Sequence, residues 1–225
     1  MTVLDGSVTV RLSTAMRDGS AAEHEAAEGS AFLTELLGGR LRAAGYIAYL
    51  RRLRLVYAAL EEAVRATTAD PLVATVADPG LERLGAIEAD LAFWTGEQVA
   101  PGTGGEIDSA AAHAYAERLR QAAATWGGTV VAHHYTRYLG DLSGGRVIGT
   151  LLERTFDLRG GGVAFYSFAL VPKPKRYKDA YRARLDDLPL TGPEVDRVVD
   201  EVKVAFTLNQ ALLTELGGRL EEYRR

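Results

Sequence analysis

The chain has 225 residues, 47% hydrophobic and 25% charged, which suits one soluble domain with a full core. A net charge of −4 argues against a general polyanion binder, and the absence of cysteine excludes disulfides, thiolate metal sites and a cysteine nucleophile, in keeping with a reducing cytoplasm. No stretch approaches the roughly 20 apolar residues that span a bilayer, no signal-peptide pattern opens the chain, and Glu221-Glu222-Tyr223-Arg224-Arg225 is no hydrophobic tail, so no membrane anchor is expected.

The dominant period is helical. The first ten or so residues are expected to be disordered, and residues 12–28 read as a first helix with Ser13 as N-cap. Residues 31–37 are a short apolar run stopped by Gly38-Gly39. Over 42–66, Tyr46, Tyr49, Leu50, Leu53, Val56, Tyr57, Leu60 and Val64 recur at three- and four-residue steps. Asp70-Pro71 breaks the chain, and Asp78-Pro79 opens a helix running to about Thr95, with proline in its first turn. Residues 101–105, Pro-Gly-Thr-Gly-Gly, are the clearest loop; Asp108 or Ser109 then caps a helix through about Ala124. Residues 126–157 form another helix, 158–171 read as irregular, and Lys173 to Asp187 is a basic helix behind two prolines. Thr191-Gly192-Pro193-Glu194 starts a last helix that reaches the C-terminus. With no repeat, domain linker or convincing sheet, the reading is a single all-α domain over 1–225 with seven or eight helices.

Residues 133–145, His-His-Tyr-Thr-Arg-Tyr-Leu-Gly-Asp-Leu-Ser-Gly-Gly, are the most informative run. A helix gives up roughly 1 kcal/mol for each of Gly140, Gly144 and Gly145 relative to alanine. The return is either a tight helix crossing or a close approach of backbone to a large flat ligand. Asp141 among the glycines favours a polar group facing a cavity, working through water. The run lacks the lysine of a phosphate loop and follows no strand.

Of four histidines, His24 lies in a helix of small residues with Glu28 one turn on, an arrangement that can orient a metal-ligating imidazole. Taken alone, that segment reads more readily as an exposed histidine in a polar helix. His113 sits in an alanine-rich helix and reads as surface. His133 and His134 point about 100° apart, have no carboxylate one turn away, and read as structural. The basic segment carries Lys173, Lys175, Arg176, Lys178, Arg182 and Arg184 against Asp179. It reads as a solvated face, a nucleic-acid patch (poorly supported in an acidic protein), or a clamp for two carboxylates of a small molecule. Nothing in the spacing marks a paired-carboxylate hydrolase or a Ser-His-Asp triad.

Together these segments resemble the haem oxygenase family. The matching stretches are Ala21 to Glu28, Tyr57-Ala58-Ala59-Leu60-Glu61-Glu62, Asp90-Leu91-Ala92-Phe93-Trp94, Val131 to Gly145, Tyr177-Lys178-Asp179-Ala180-Tyr181-Arg182 and Ala205-Phe206-Thr207-Leu208-Asn209. They run in family order from about residue 10 to 220, and the form is that of the soluble, biliverdin-producing bacterial members. The resemblance implies a multi-helix fold with haem b between a proximal helix and a kinked distal helix. It also implies oxidative cleavage of haem, both cofactor and substrate, to biliverdin, carbon monoxide and ferrous iron. The oxidant is O2, and the electrons come from a ferredoxin or a flavoprotein reductase.

By position, the resemblance makes His24 the iron ligand and Glu28 its hydrogen-bond partner. Gly140 and Gly144 become the distal-helix glycines, Asp141 the carboxylate that organises distal water, and Tyr57, Arg137 and Asn209 its network. Arg17, Tyr135, Lys178 and Arg182 match propionate contacts, Ser143 belongs with the haem contacts, and Phe206 matches a haem-edge aromatic. Arg17 stands where relatives more often carry lysine, and the weak helix sequence Gly19-Ser20 suggests a proximal helix that moves without haem. A cytoplasmic monomer is expected, with no nucleic acid as partner. The rival reading is a haem carrier or sensor on the same scaffold.

Overall fold

The structure, a computed structural model, describes residues 11–97 and 107–225. The N-terminal ten residues and the 101–105 loop lie outside the described residues. The fold is helical, as the periodicity predicts. Among the described residues the one β pairing is an isolated bridge between Leu41 and Arg224.

The expected first helix divides in two. α1 (Leu12–Gly19) and α2 (Ala21–Glu28) meet at Ser20, where φ is −117° and ψ is 17°. Glycine and serine are weak helix formers, and the break falls on them. Ser13 is not the N-cap. Arg11 holds that place, and Ser13 donates its N–H and Oγ–H to Asp186 at 2.8 and 3.0 Å. That contact ties α1 to α9 (Pro174–Asp186), a long-range link invisible to a local capping rule.

α3 (Ala31–Leu37) is capped by Ser30, and α4 (Ala43–Ala66) follows. Asp70 caps a short α5 (Pro71–Val76), so the expected break is also a start. Asp78-Pro79 makes only a 3₁₀ turn, Pro79–Leu81, before α6 (Leu84–Thr95) begins. α7 (Ala110–Ala123) is capped by Ser109. α8 (Gly127–Phe156) runs 30 residues without interruption through the glycine cluster. A second 3₁₀ turn, Ala164–Tyr166, lies in the irregular stretch. α10 (Gly192–Gly217) opens on a Thr191/Glu194 capping box and stops short of the C-terminus, where α11 (Leu220–Tyr223) follows. Eleven α-helices therefore stand among the described residues instead of seven or eight. Residues read as breaks turned out to flank extra short helices.

The periodic face of α4 is the centre of the core: Tyr46, Leu50, Leu53, Val56, Tyr57 and Leu60 are fully buried. α4 packs on α6, α7 and α8, while α2 and α8 both lie against α10. Among the described residues no helix is long and apolar enough to cross a membrane.

His133 and His134 are buried on α8, as structural histidines. His134 Nδ1 lies 2.7 Å from the Tyr181 hydroxyl, and burial pushes its pKa down to about 3, so the ring stays neutral. His133 Nε2 lies 2.8 Å from Glu201 Oε1, which also receives Arg118 Nε at 2.8 Å. Burial alone would raise the Glu201 carboxyl, but its bonds to His133 and Arg118 hold it at about 2, below the ordinary 4.5. A carboxyl depressed in the folded state gives stability that is complete above its unfolded pKa and lost as pH falls through the folded one. Glu201→Gln is therefore expected to cost about 2–3 kcal/mol near neutrality and to flatten the loss of stability between roughly pH 4.5 and 2. Urea unfolding at stepped pH measures this. An acid limb unchanged in the variant would assign that loss to other groups.

Candidate active site

Three helices bring four polar side chains into one line. α4 supplies Tyr57, α8 supplies Arg137 and Asp141 one turn apart, and α10 supplies Asn209. The Tyr57 hydroxyl donates to Asp141 Oδ2. Arg137 donates through Nε to the Tyr57 hydroxyl at 3.1 Å and through Nη1 to Asn209 Oδ1 at 2.6 Å. The Arg137 guanidinium also lies 5.0 Å from the Tyr57 ring centroid. A buried cation is tolerable only when paired and hydrogen-bonded, and this line pairs it with Asp141 through the phenol. Burial pushes the Asp141 carboxyl above the usual carboxylate range, against the opposing pull of Arg137 and Tyr57. Burial likewise raises Tyr57 well above an ordinary phenol. Burial would lower Arg137, but Tyr57 and Asp141 outweigh it and keep the guanidinium charged.

Four glycines of α8, Gly140, Gly144, Gly145 and Gly149, divide into two pairs. A methyl group at Gly145 or Gly149 would press on Tyr166 at 3.1 or 3.2 Å, so these two make room for that ring. A methyl at Gly140 or Gly144 would meet nothing within 4 Å. Protein packing does not require those two glycines, and the space before them is open. Gly140, Ser143, Gly144 and Val147 share one helix face, and Val147 is 68% exposed. The result is an open strip of backbone with little side-chain bulk.

His24 stands exposed on α2, its ring edge-on to Phe206 with centroids 5.5 Å apart. Phe206 and Asn209 are three residues apart on α10, so one helix face links the histidine to the polar line. Glu28 ends α2, and its side chain lies outside the described ones. Among the described residues no group of three His, Cys, Asp or Glu could hold a bare metal ion. A single imidazole suits a metal that brings its own ring of ligands.

Cations rim the strip. Lys178 Nζ on α9 donates to Ser143 Oγ at 2.8 Å, and Ser143 in turn donates to the Leu139 carbonyl at 2.6 Å. Arg182, one turn on, reaches Asp179 at 3.5 Å, and Arg17 on α1 pairs with Asp18 at 2.8 Å. Tyr135 is half-buried within electrostatic reach of both arginines; burial raises its phenol and the two cations oppose that. Burial and the charge of Arg182 both lower Lys178, a strain that a bound anion would relieve. An open flat face, an exposed imidazole and a basic rim together fit a haem with two propionates.

Sequence reasoning missed Tyr115, which lies within electrostatic reach of Arg137 and Asp141. Tyr115 Oη and His133 Nδ1 are buried with no hydrogen-bond partner among the described residues, and the two rings lie 5.5 Å apart. A lone tyrosine in an alanine-rich helix carries no signal that would have found it.

Residues 10–215 match the family model described as Heme oxygenase. Heme oxygenase 1 of the cyanobacterium Synechocystis sp. is 36% identical over 95% of this chain and 88% of its own length. Human heme oxygenase 1 is 36% identical over 91% of this chain and 71% of its own. The crystal structure of the Synechocystis enzyme in complex with heme superposes with a TM-score of 0.88, covering 95% of each chain. The heme oxygenase of Leptospira interrogans gives 0.86 at 33% identity, covering 92% of this chain and all of the other. A glycine face left open beside a carboxylate network, on a scaffold matched along nearly its whole length, places this chain in the heme oxygenase family.

Proposed function

We propose that this chain cleaves haem with O2 and donated electrons to biliverdin, carbon monoxide and ferrous iron, on the strip between His24 and Asp141. The observation that carries the reading is the Asn209–Arg137–Tyr57–Asp141 line set beside two glycines that packing does not need. A carrier would use the open face and the histidine; it has no use for a half-buried carboxyl tied into a hydrogen-bonded line. Haem, when bound, supplies both the oxygen-binding iron and the carbon that is oxidised.

The protein's own work is holding and protonating. His24 would hold the iron through one ring nitrogen, and the family resemblance assigns Glu28 to the other. Gly140 and Gly144 let backbone approach the ring plane without a side chain between. Asp141, its carboxyl shifted upward by burial, would pass a proton to and from water; Tyr57 and Arg137 fix its orientation, and Asn209 fixes Arg137. Arg17, Tyr135, Lys178 and Arg182 would take the propionates, with Ser143 holding Lys178 at the rim and Phe206, beside the His24 ring, suited to the haem edge. The chain folds as one domain, a reading supported by one dominant apolar core among the described residues; the lack of cysteine suits a cytoplasmic protein, and the family resemblance suggests a monomer. The basic rim also suits an acidic electron donor of the ferredoxin or flavoprotein reductase kind, since complementary charge speeds encounter.

The test is to mix the protein with hemin and ascorbate in air and follow the spectrum. Loss of the Soret band with rise of a biliverdin spectrum is expected; a persistent Soret band would make it a carrier. Lys178→Glu with Arg182→Glu should redistribute the biliverdin isomers before abolishing binding, because charge-assisted propionate bonds worth about 1.5–3 kcal/mol each select the exposed edge. Chromatography of the products reads this. An unchanged isomer ratio would remove the pair from regiocontrol.

A further inference from the structure

Asp90 on α6 is 1% exposed and takes no part in the site described above. Its two oxygens are used separately: Oδ1 accepts the Ala164 N–H at 2.7 Å and Oδ2 the Phe165 N–H at 2.8 Å. Neighbours of Asp90 hold the same segment at both flanks. Trp94 Nε1 donates to the Gly162 carbonyl at 2.8 Å, and Arg83 Nη1 donates to the Ser167 carbonyl at 2.7 Å. Arg83 also lies 3.9 Å over the Phe168 ring. Glu61 of α4 anchors this clamp by accepting the Arg83 and Leu84 N–H groups at 2.6 and 2.8 Å.

The clamped turn carries two aromatic rings to the back of the site. Phe165 meets Tyr57 edge-on, with centroids 5.5 Å apart and planes at 75°. Tyr166 fills the notch at Gly145 and Gly149, where no side chain on α8 would fit without displacing it. A three-residue 3₁₀ turn cannot hold such rings in place by itself.

We infer that Asp90 is a positioning residue for haem cleavage: by pinning the Ala164–Tyr166 turn it sets the Tyr57 phenol against Asp141 and fixes α8 behind the open glycine strip. The inference rests on the assignment of Tyr57 to the proton-holding line, and the test separates the two. Asparagine can accept at one oxygen only and turns an N–H donor toward the second backbone donor, so Asp90→Asn should release the turn.

Three measurements on the full-length protein decide it. In the haem-free protein, Asp90→Asn should speed amide exchange over 163–167 and over the α8 segment 145–150. Turnover per bound haem should fall about fivefold or more, with hemin affinity from Soret titration within about twofold of wild type. In a Tyr57→Phe background the same substitution should add less than about twofold, because its effect passes through the phenol. Unchanged turnover, or a loss carried undiminished into the Tyr57→Phe background, overturns the inference. A Tyr57→Phe protein with wild-type turnover would instead overturn the assignment of Tyr57. Should Asp90→Asn fail to fold, Phe165→Leu removes the ring beside Tyr57 while keeping an apolar side chain. It must give the same split between turnover and affinity and the same dependence on Tyr57.

Discussion

His24→Ala protein is expected to produce no biliverdin above background and to bind hemin at least about tenfold more weakly, with imidazole restoring part of both. The imidazole is exposed on α2, held edge-on by Phe206, and flanked by Ala21, Ala22, Ala26 and Ala27, so a broad planar ligand can reach it. Loss of the axial bond leaves the glycine strip and the rim of Arg17, Lys178 and Arg182 intact. Weakened binding is therefore expected, with a displaced Soret maximum, and complete loss is not. Added imidazole fits the space the side chain vacated and supplies the missing nitrogen without altering the chain. His113→Ala is the matched control. That ring is exposed on α7, its Nε2 3.3 Å from the Ile107 carbonyl, and its removal should change neither binding nor product. Normal turnover by His24→Ala without imidazole would end the ligand assignment.

Much of the fold follows from local pattern, and much of the site does not. The spacing over 42–66 gave α4 to within a residue, because a helix buried along one face repeats every three or four positions. The Thr191 start appeared as a complete capping box. Ser13 failed as a cap because its partner, Asp186, is 173 residues away. His133 looked unpaired by helix arithmetic, and its carboxylate arrived from α10, 68 residues on. In the polar line only Arg137 and Asp141 stand at helical spacing; Tyr57 and Asn209 were named through family resemblance, since nothing local couples them. The four glycines at 140–149 in α8 could not be sorted by sequence either. The structure sorts them by what stands opposite: Tyr166 for Gly145 and Gly149, open space for Gly140 and Gly144. Asp90 appeared only inside a stretch resembling the family, with no role attached, because a carboxylate that pins a turn reads like any other acid on a helix.

Asp141→Ala should keep hemin affinity within about threefold while cutting biliverdin formation by about 10²-fold, the usual weight of a positioned proton donor. Affinity is spared because Asp141 lies in the polar line, away from the residues assigned to iron and propionates. Some stability is lost, about 1–3 kcal/mol, since the buried Tyr57 hydroxyl keeps its donor, Arg137, and loses its acceptor. Alanine alone cannot distinguish a proton-holding role from a purely orienting one, so Asp141→Asn is the sharper variant. Asparagine can still accept from Tyr57 and occupies nearly the same volume, but it cannot release and regain a proton. If Asp141 works by holding a proton, the asparagine variant falls nearly as far as alanine. The alkaline limb of turnover in wild type, produced by ionisation of a carboxyl that burial has raised, disappears with it. If the residue only orients water, asparagine retains most of the activity and the pH profile keeps its shape. Single-turnover biliverdin yield against pH, normalised to bound hemin, separates these outcomes. Full yield from Asp141→Asn across that range would move the proton source off this carboxylate.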